Sequence, residues 1–207
     1  QGFLWFGTQD GLDRYDGRTF MHYRNADRTN SLSNNYIWAL HEDPTGMLWI
    51  GTFGGGLDRF DPATGVFTHY RHVPGDSTSL PSDRVFSIAQ DAGGTLWLGT
   101  NNGLAALDPG TGRARRWLTN TPDEADGKGH FVNGLALQQR MLWMRSDSGL
   151  TRMDTRTGAI QHFRHGPHNT DLELGAVQGA FAHGDKAIVL CAAGLLLIDH
   201  ERGTDSL

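Results

Sequence analysis

"LWIGTFGGGLDRFDPATGVFTHY", residues 48–70, decides the fold. Its three consecutive glycines admit two readings, a phosphate cradle or a turn in a scaffold. A phosphate-binding loop needs Gly-Lys-Ser/Thr leading into a helix, and a dinucleotide fingerprint needs G-x-G-x-x-G ahead of one. Neither is present. The rest of the chain supplies the answer, because Gly-Leu followed shortly by an apolar residue and Asp recurs five times. The copies run Gly11-Leu12 to Asp16, Gly56-Leu57 to Asp61, Gly103-Leu104 to Asp108, Gly149-Leu150 to Asp154 and Gly194-Leu195 to Asp199. Their glycines stand 45, 47, 46 and 45 residues apart. Ahead of each lies an apolar run: Leu4–Thr8, Leu48–Thr52, Leu96–Thr100, then the degraded Leu142–Ser146 and Ile188–Ala192. Gly56 is thus the repeat glycine, and Gly54 and Gly55 lengthen a turn whose counterparts read Gln9-Asp10, Asn101-Asn102 and Asp147-Ser148.

A period of about 45 residues holding four strand-like runs is the arithmetic of a β-propeller blade. In the clearest copy, strand a is expected over 36–41, b over 48–52, c over 57–60 and d over 66–70. Asp43-Pro44-Thr45-Gly46 joins a to b, and Asp61-Pro62-Ala63-Thr64-Gly65 joins c to d. In such turns Asp accepts backbone hydrogen bonds, Pro presets φ and the last Gly takes the left-handed conformation. Glycine and proline punctuate the chain too often for helices. The expected fold is all-β, a propeller of four-stranded antiparallel blades. Residues 1–207 would form one propeller fragment with blade parts at 1–24, 30–72, 78–118, 128–165 and 175–202. The chain enters at strand b of one blade and leaves after strand c of another, so an incomplete ring of three whole and two partial blades is expected.

Bulk properties narrow the function. The 207 residues carry a net charge of -5, and the arginines are dispersed, so no field attracts nucleic acid. One cysteine, Cys191, rules out an intrachain disulfide framework and a cysteine-based zinc cluster. His162, His165 and His168 have a spacing that suggests metal, but His162 is locked to the repeat, matching His22 and His69 in strand d. The five repeat aspartates read as turn-formers rather than as a glycosidase pair. No catalytic residue, metal site or cofactor is implied.

What recurs in every copy serves the blade, and what varies on the loops is free to serve a ligand. In propellers the d–a and b–c connections share one rim. The long, variable connections here are d–a, which places recognition on that rim. Candidate ligand-binding residues there are Asn34, Asn35, Tyr36, Arg84, Asn101, Asn102, His130, Phe131 and Arg145, the last standing where the first three copies have Gly. Arginine, asparagine and aromatic side chains together suit an anionic or carbohydrate ligand.

The pattern Asp43-x-x-Gly46-x-Leu48-Trp49-Ile50-Gly51-Thr52, then Gly56-Leu57-x-Arg59-Phe60-Asp61-Pro62-x-Thr64-Gly65-x-Phe67-x-x-Tyr70, resembles the two-component regulator propeller repeat. Ser79-Leu80-Pro81-Ser82 and its echo Ser31-Leu32-Ser33-Asn34 add to the match. The resemblance implies the periplasmic sensor half of a bacterial transmembrane receptor, and the rim residues suit a small molecule or oligosaccharide as its ligand. It also implies rings of commonly seven blades, a membrane tether outside these residues and a homodimeric receptor. The output would be a histidine kinase or a diguanylate cyclase; the fragment itself would be no enzyme. A propeller enzyme of lyase or glycosidase type and a passive protein-interaction scaffold are the alternatives.

Overall fold

The computed structural model describes residues 2–26, 30–117, 131–146, 149–163, 177–183, 186–191, 194–199 and 203–206. These residues form nineteen strands in five antiparallel sheets, each a meander in chain order. The first sheet has three strands, β1 (Leu4–Thr8), β2 (Gly11–Tyr15) and β3 (Phe20–Tyr23). The second is β4 (Ile37–Glu42), β5 (Leu48–Thr52), β6 (Leu57–Asp61) and β7 (Val66–Tyr70). The third is β8 (Val85–Gln90), β9 (Leu96–Thr100), β10 (Gly103–Asp108) and β11 (Arg113–Trp117). The fourth is β12 (Val132–Gln138), β13 (Met141–Ser146), β14 (Gly149–Asp154) and β15 (Ile160–Phe163). The fifth is β16 (Val177–His183), β17 (Lys186–Cys191), β18 (Gly194–Asp199) and β19 (Gly203–Ser206). Among the described residues there is no helix long and apolar enough to cross a membrane.

This is the all-β, incomplete ring of blade sheets expected from the repeat. One count changes: the fifth sheet has a fourth strand, with Asp199 paired to Gly203 and Leu196 to Ser206. Four sheets are therefore four-stranded and the first is three-stranded. Gly203–Ser206 lacks the apolar pattern of the other d strands, but ladder pairing runs through backbone groups and needs none.

The sheets stack face to face, which explains why strand b reads as a continuous apolar run. Leu48 and Ile50 turn to the first sheet and pack with Leu12, Phe60 and the partly buried Trp5 and Tyr23. Trp49, between them, turns the other way and packs with Val85, Leu96 and Leu98 of the third sheet. Trp97 does the same toward Leu142, Met144 and Met153 of the fourth. Both faces of each strand are thus core, as in any sheet covered on two sides. Trp49 and Trp97 each donate Nε1–H to the aspartate of their own a–b turn, to Asp43 at 2.8 Å and to Asp91 at 3.0 Å. A buried indole N–H is thereby satisfied by the residue that also closes the hairpin.

The glycine of Leu-Trp-x-Gly-Thr answers to a close approach. A Cβ on Gly51 would lie 2.8 Å from the Val85 carbonyl, and one on Gly99 would lie 2.6 Å from the Val132 carbonyl. Strand a of the following sheet rests on this spot. In the fourth sheet the glycine is replaced by Arg145, and its cross-strand partner is Gly134. The corresponding partners of Gly51 and Gly99 are Ala39 and Ser87, so the small residue has moved across the ladder. The c–d turns form as their sequence predicts. Asp61 accepts from Ala63 N and Thr64 Oγ1, Asp108 from Gly110 N and Thr111 Oγ1, and Gly65 and Gly112 adopt φ of 73° and 71°.

The d–a connections do more than span a gap. Residues 30–35 run beside the outer strand of the second sheet, where Asn30 accepts from Phe67 N at 2.7 Å and donates to the Gly65 carbonyl at 3.1 Å. Residues 76–80 do the same on the third sheet. There Thr78 accepts from Ala114 N at 2.7 Å, and Arg116 donates to the carbonyls of Asp76, Ser79 and Leu80.

Candidate functional site

Each complete strand a carries a register shift after its first residue: between Ile37 and Ala39, Val85 and Ser87, Val132 and Gly134, and Val177 and Gly179. The unpaired residues are Trp38, Phe86, Asn133 and Gln178. A bulge leaves one residue outside the ladder and re-aims its side chain. Its repetition in four sheets makes it part of the blade, while its occupant varies.

At this end of the sheets the d–a and b–c connections meet, as the propeller reading requires. Phe53 N donates to the Tyr36 carbonyl at 2.9 Å, Gly54 N and Gly56 N both donate to the Asp83 carbonyl, and Asn101 N donates to the Arg84 carbonyl. Five aromatic rings gather there. Tyr36 lies 5.4 Å from Trp38 and 5.3 Å from Phe53, and Trp38 lies 5.9 Å from Phe53 and 5.3 Å edge-on from Phe86. Phe86 continues to Phe131 at 4.6 Å. The string crosses the second, third and fourth sheets. Offset and edge-on geometries of this kind are the favourable ones. Trp38 remains 48% exposed, whereas Trp49 and Trp143 are 0% exposed. Arg84 is exposed, with its guanidinium 4.6 Å over the Phe53 ring.

The sequence candidates divide on this geometry. Tyr36, Arg84 and Phe131 occupy the same place in successive sheets, directly before strand a, and belong to the aromatic rim. Asn34 and Asn35 are engaged in holding their own loop: Asn34 accepts from Tyr36 N at 2.8 Å and Asn35 from Asn25 N at 2.6 Å. Asn101 is exposed in its b–c turn, and Asn102 N donates to Thr100 Oγ1. Arg145 Nε donates to Asn133 Oδ1 at 2.5 Å, which places both on the fourth sheet's share of the rim. His130 lies outside the described residues. Sequence reasoning missed Trp38, Phe53, Phe86 and Asn133. Trp38, Phe86 and Asn133 form a variable column between β-branched Ile37, Val85 and Val132 and small Ala39, Ser87 and Gly134, and that pattern was the available signal.

The histidines of strand d have acidic or polar partners that the sequence did not make evident. His22 Nδ1 lies 2.8 Å from Asp13, His69 Nδ1 lies 2.7 Å from Asp58, and His162 Nδ1 lies 3.0 Å from Thr151 Oγ1. Asp58 has no solvent-exposed side-chain surface, and its other oxygen accepts from Ser33 N at 2.8 Å. Burial pushes its carboxyl above the ordinary range despite the hydrogen bonds from Ser33 and His69. This pair ties the d–a loop to the second sheet, with Asp58 sealed inside and His69 partly exposed. Among the described residues no three His, Cys, Asp or Glu side chains converge as a metal site would need. His165 and His168 lie outside the described residues.

A concavity of about 780 Å³ lies at the opposite rim between the second and third sheets, lined by Asp43, Trp49, Arg59, Gln90 and Asp108. Its carboxylates are already committed. Asp43 accepts from Thr45, Met47 and Trp49, and these bonds hold its pKa low against the opposing effect of burial. The half-exposed indole of Trp38 is on the other rim.

Residues 31–54 and 79–102 match the family model described as two component regulator propeller. The match lies in these two stretches, one leading through the second sheet and one through the third. Both matched stretches run from a d–a connection through strands a and b to the b–c turn, and so contain most of the rim just described. Among solved structures, the chain is similar to the extracellular domain of a hybrid two-component system from B. thetaiotaomicron, with 24% identity and a TM-score of 0.79. That match covers 100% of this chain and 29% of the other. A second extracellular domain from the same organism, of a one-component system, matches at 21% identity and a TM-score of 0.53, over 100% of this chain and 35% of the other. Virginiamycin B lyase from Staphylococcus aureus matches at 15% identity and a TM-score of 0.70, over 100% of this chain and 66% of the other. At these identities the likenesses show the fold alone. The chain spans about a third of the two extracellular domains. A search of curated proteins gave no match.

Proposed function

We propose that this propeller is the extracytoplasmic ligand-sensing part of a bacterial two-component-type receptor, with its rim of Tyr36, Trp38, Phe53, Arg84, Phe86 and Phe131 as the ligand site. In this reading a histidine kinase or diguanylate cyclase output and a membrane tether belong to other segments of the receptor, and the receptor is a periplasm-facing homodimer. The supporting observation is the half-exposed Trp38, held at a bulge among four other rings on loops that two sheets share. An indole left half open to water on a bed of packed rings offers an apolar face that a ligand could cover. A small molecule or an oligosaccharide is the expected ligand, because sugar rings and aromatic faces both stack on an indole.

Calorimetric screening of the intact protein against oligosaccharides and small metabolites tests the site. A ligand whose affinity drops about tenfold or more in Trp38→Ala supports the rim. A ligand that binds with the same affinity in Trp38→Ala, Phe86→Ala and Arg84→Gln removes it. The signalling half of the proposal is tested separately: ligand must alter kinase or cyclase output in cells, and a ligand that binds without altering it leaves a scaffold.

A further inference from the structure

Arg84 is held differently from Arg24 and Arg116. Arg24 is bound to Asp10 at 3.2 Å and to Asp13 at 3.1 Å, and Arg116 is bound to three carbonyls. Arg84 makes no ion pair among the described residues. Its neighbour Asp83 turns elsewhere, accepting from His72 N at 2.7 Å. What Arg84 has is the face of Phe53, 4.6 Å beneath its guanidinium. A guanidinium lying over a ring keeps the N–H edge of its plane open, the edge that grips a carboxylate through two parallel hydrogen bonds.

Trp38 flanks the same Phe53 ring at 5.9 Å, with the planes inclined by 28°. The cation and the half-exposed indole are therefore at most about 10.5 Å apart. That span suits one ring and one charged substituent. Resting on the ligand-site reading above, we propose that the rim takes a ring bearing a carboxylate, its face on Trp38 and its charge on Arg84. Two sources share this chemistry: an acidic sugar of the uronate kind and an aromatic acid.

The test is calorimetry and tryptophan fluorescence on the intact protein with four probes: tri-galacturonate, its methyl ester, benzoate and benzyl alcohol. At least one acid is expected to bind about tenfold or more tightly than its neutral counterpart. Arg84→Gln should abolish that preference and leave the neutral probe unchanged, with Arg84→Lys intermediate because it keeps charge without the planar fork. Trp38→Ala should weaken acid and neutral probe alike. Which acid binds identifies the source. Both side chains are exposed, so the variants are expected to melt with the wild type. Equal binding of acid and neutral probe, both lost in Trp38→Ala, overturns the carboxylate and leaves the rim standing. A charge preference that survives Arg84→Gln overturns it too. So does failure of both acids to bind, after which the ligand screen alone judges the rim.

Discussion

Leu4–Thr8 and Leu48–Thr52 spell almost the same word, LWFGT against LWIGT, and form equivalent strands. All five residues of the second are buried, while in the first Leu4 is 60% and Phe6 44% exposed. The difference lies in the neighbours. β5 has β4 on one edge and a sheet against each face, whereas β1 has only β2 on its ladder and packs on one side. The motif encodes a strand able to be core on both faces; it does not supply the cover. A repeat protein builds its interior between copies, so identical local sequence has unequal energetic weight along the array.

The contrast breaks most visibly at tryptophan. Trp49→Ala should cost about 3–5 kcal/mol in urea unfolding, and Trp5→Ala no more than about 2 kcal/mol, since Trp49 is fully buried and Trp5 only partly. Equal losses would mean the sheets do not depend on stacking. Next comes the histidine clamp. Asp58→Ala leaves Ser33 N and His69 without their buried partner and should cost about 2–3 kcal/mol. Asp13→Ala, at a partly exposed pair, should cost less than about 1 kcal/mol by the same assay.

The close-approach glycine gives a finer comparison. Alanine at Gly51 meets the backbone carbonyl of Val85, pinned in its ladder, whereas at Gly7 it meets the side chain of Ile37, which can shift without breaking a ladder bond. The expected costs are about 2–3 kcal/mol and about 1 kcal/mol, read from thermal midpoints.

Acid unfolding gives the smallest effect. Backbone and hydroxyl donors hold Asp16, Asp61 and Asp108 below the ordinary 3.8, while burial raises Asp58 above it. Stability from a depressed carboxyl is present above 3.8 and is lost as pH falls through its folded value. A raised carboxyl takes its proton first in the folded chain, so it adds stability as pH falls from its folded value toward 3.8. Asp58→Asn removes that gain. Urea midpoints of the variant should therefore fall more steeply with acid than those of the wild type, in the window just above 3.8.

Much of this fold was legible because its signals are local. Asp61 and Gly65 announce their turn, Gly56 its positive φ of 83°, and the interval between glycines announces the sheet. Strand β19 was not legible, since a backbone edge recruited it without side-chain help. The rim was half legible. Subtracting the repeat exposes Tyr36, Arg84 and Phe131, but Trp38 and Phe86 look like ordinary strand residues until a bulge takes them out of the ladder, leaving Trp38 half open to water and Phe86 buried beside it. A bulge is a property of the ladder, and one strand's letters do not contain its partner's register. The Asp58–His69 pair was hidden for the same reason: eleven residues separate two side chains that only the register brings together.

The loop that leaves the second sheet is fastened at residues 76–80 along the outermost strand of the third. Prising those two sheets apart would first have to peel Thr78 from Ala114 and Arg116 from its three carbonyls, before any greasy contact within parted. Resistance to splaying thus sits at the circumference as well as at the hub, in the manner of a cask whose staves are held by hoops.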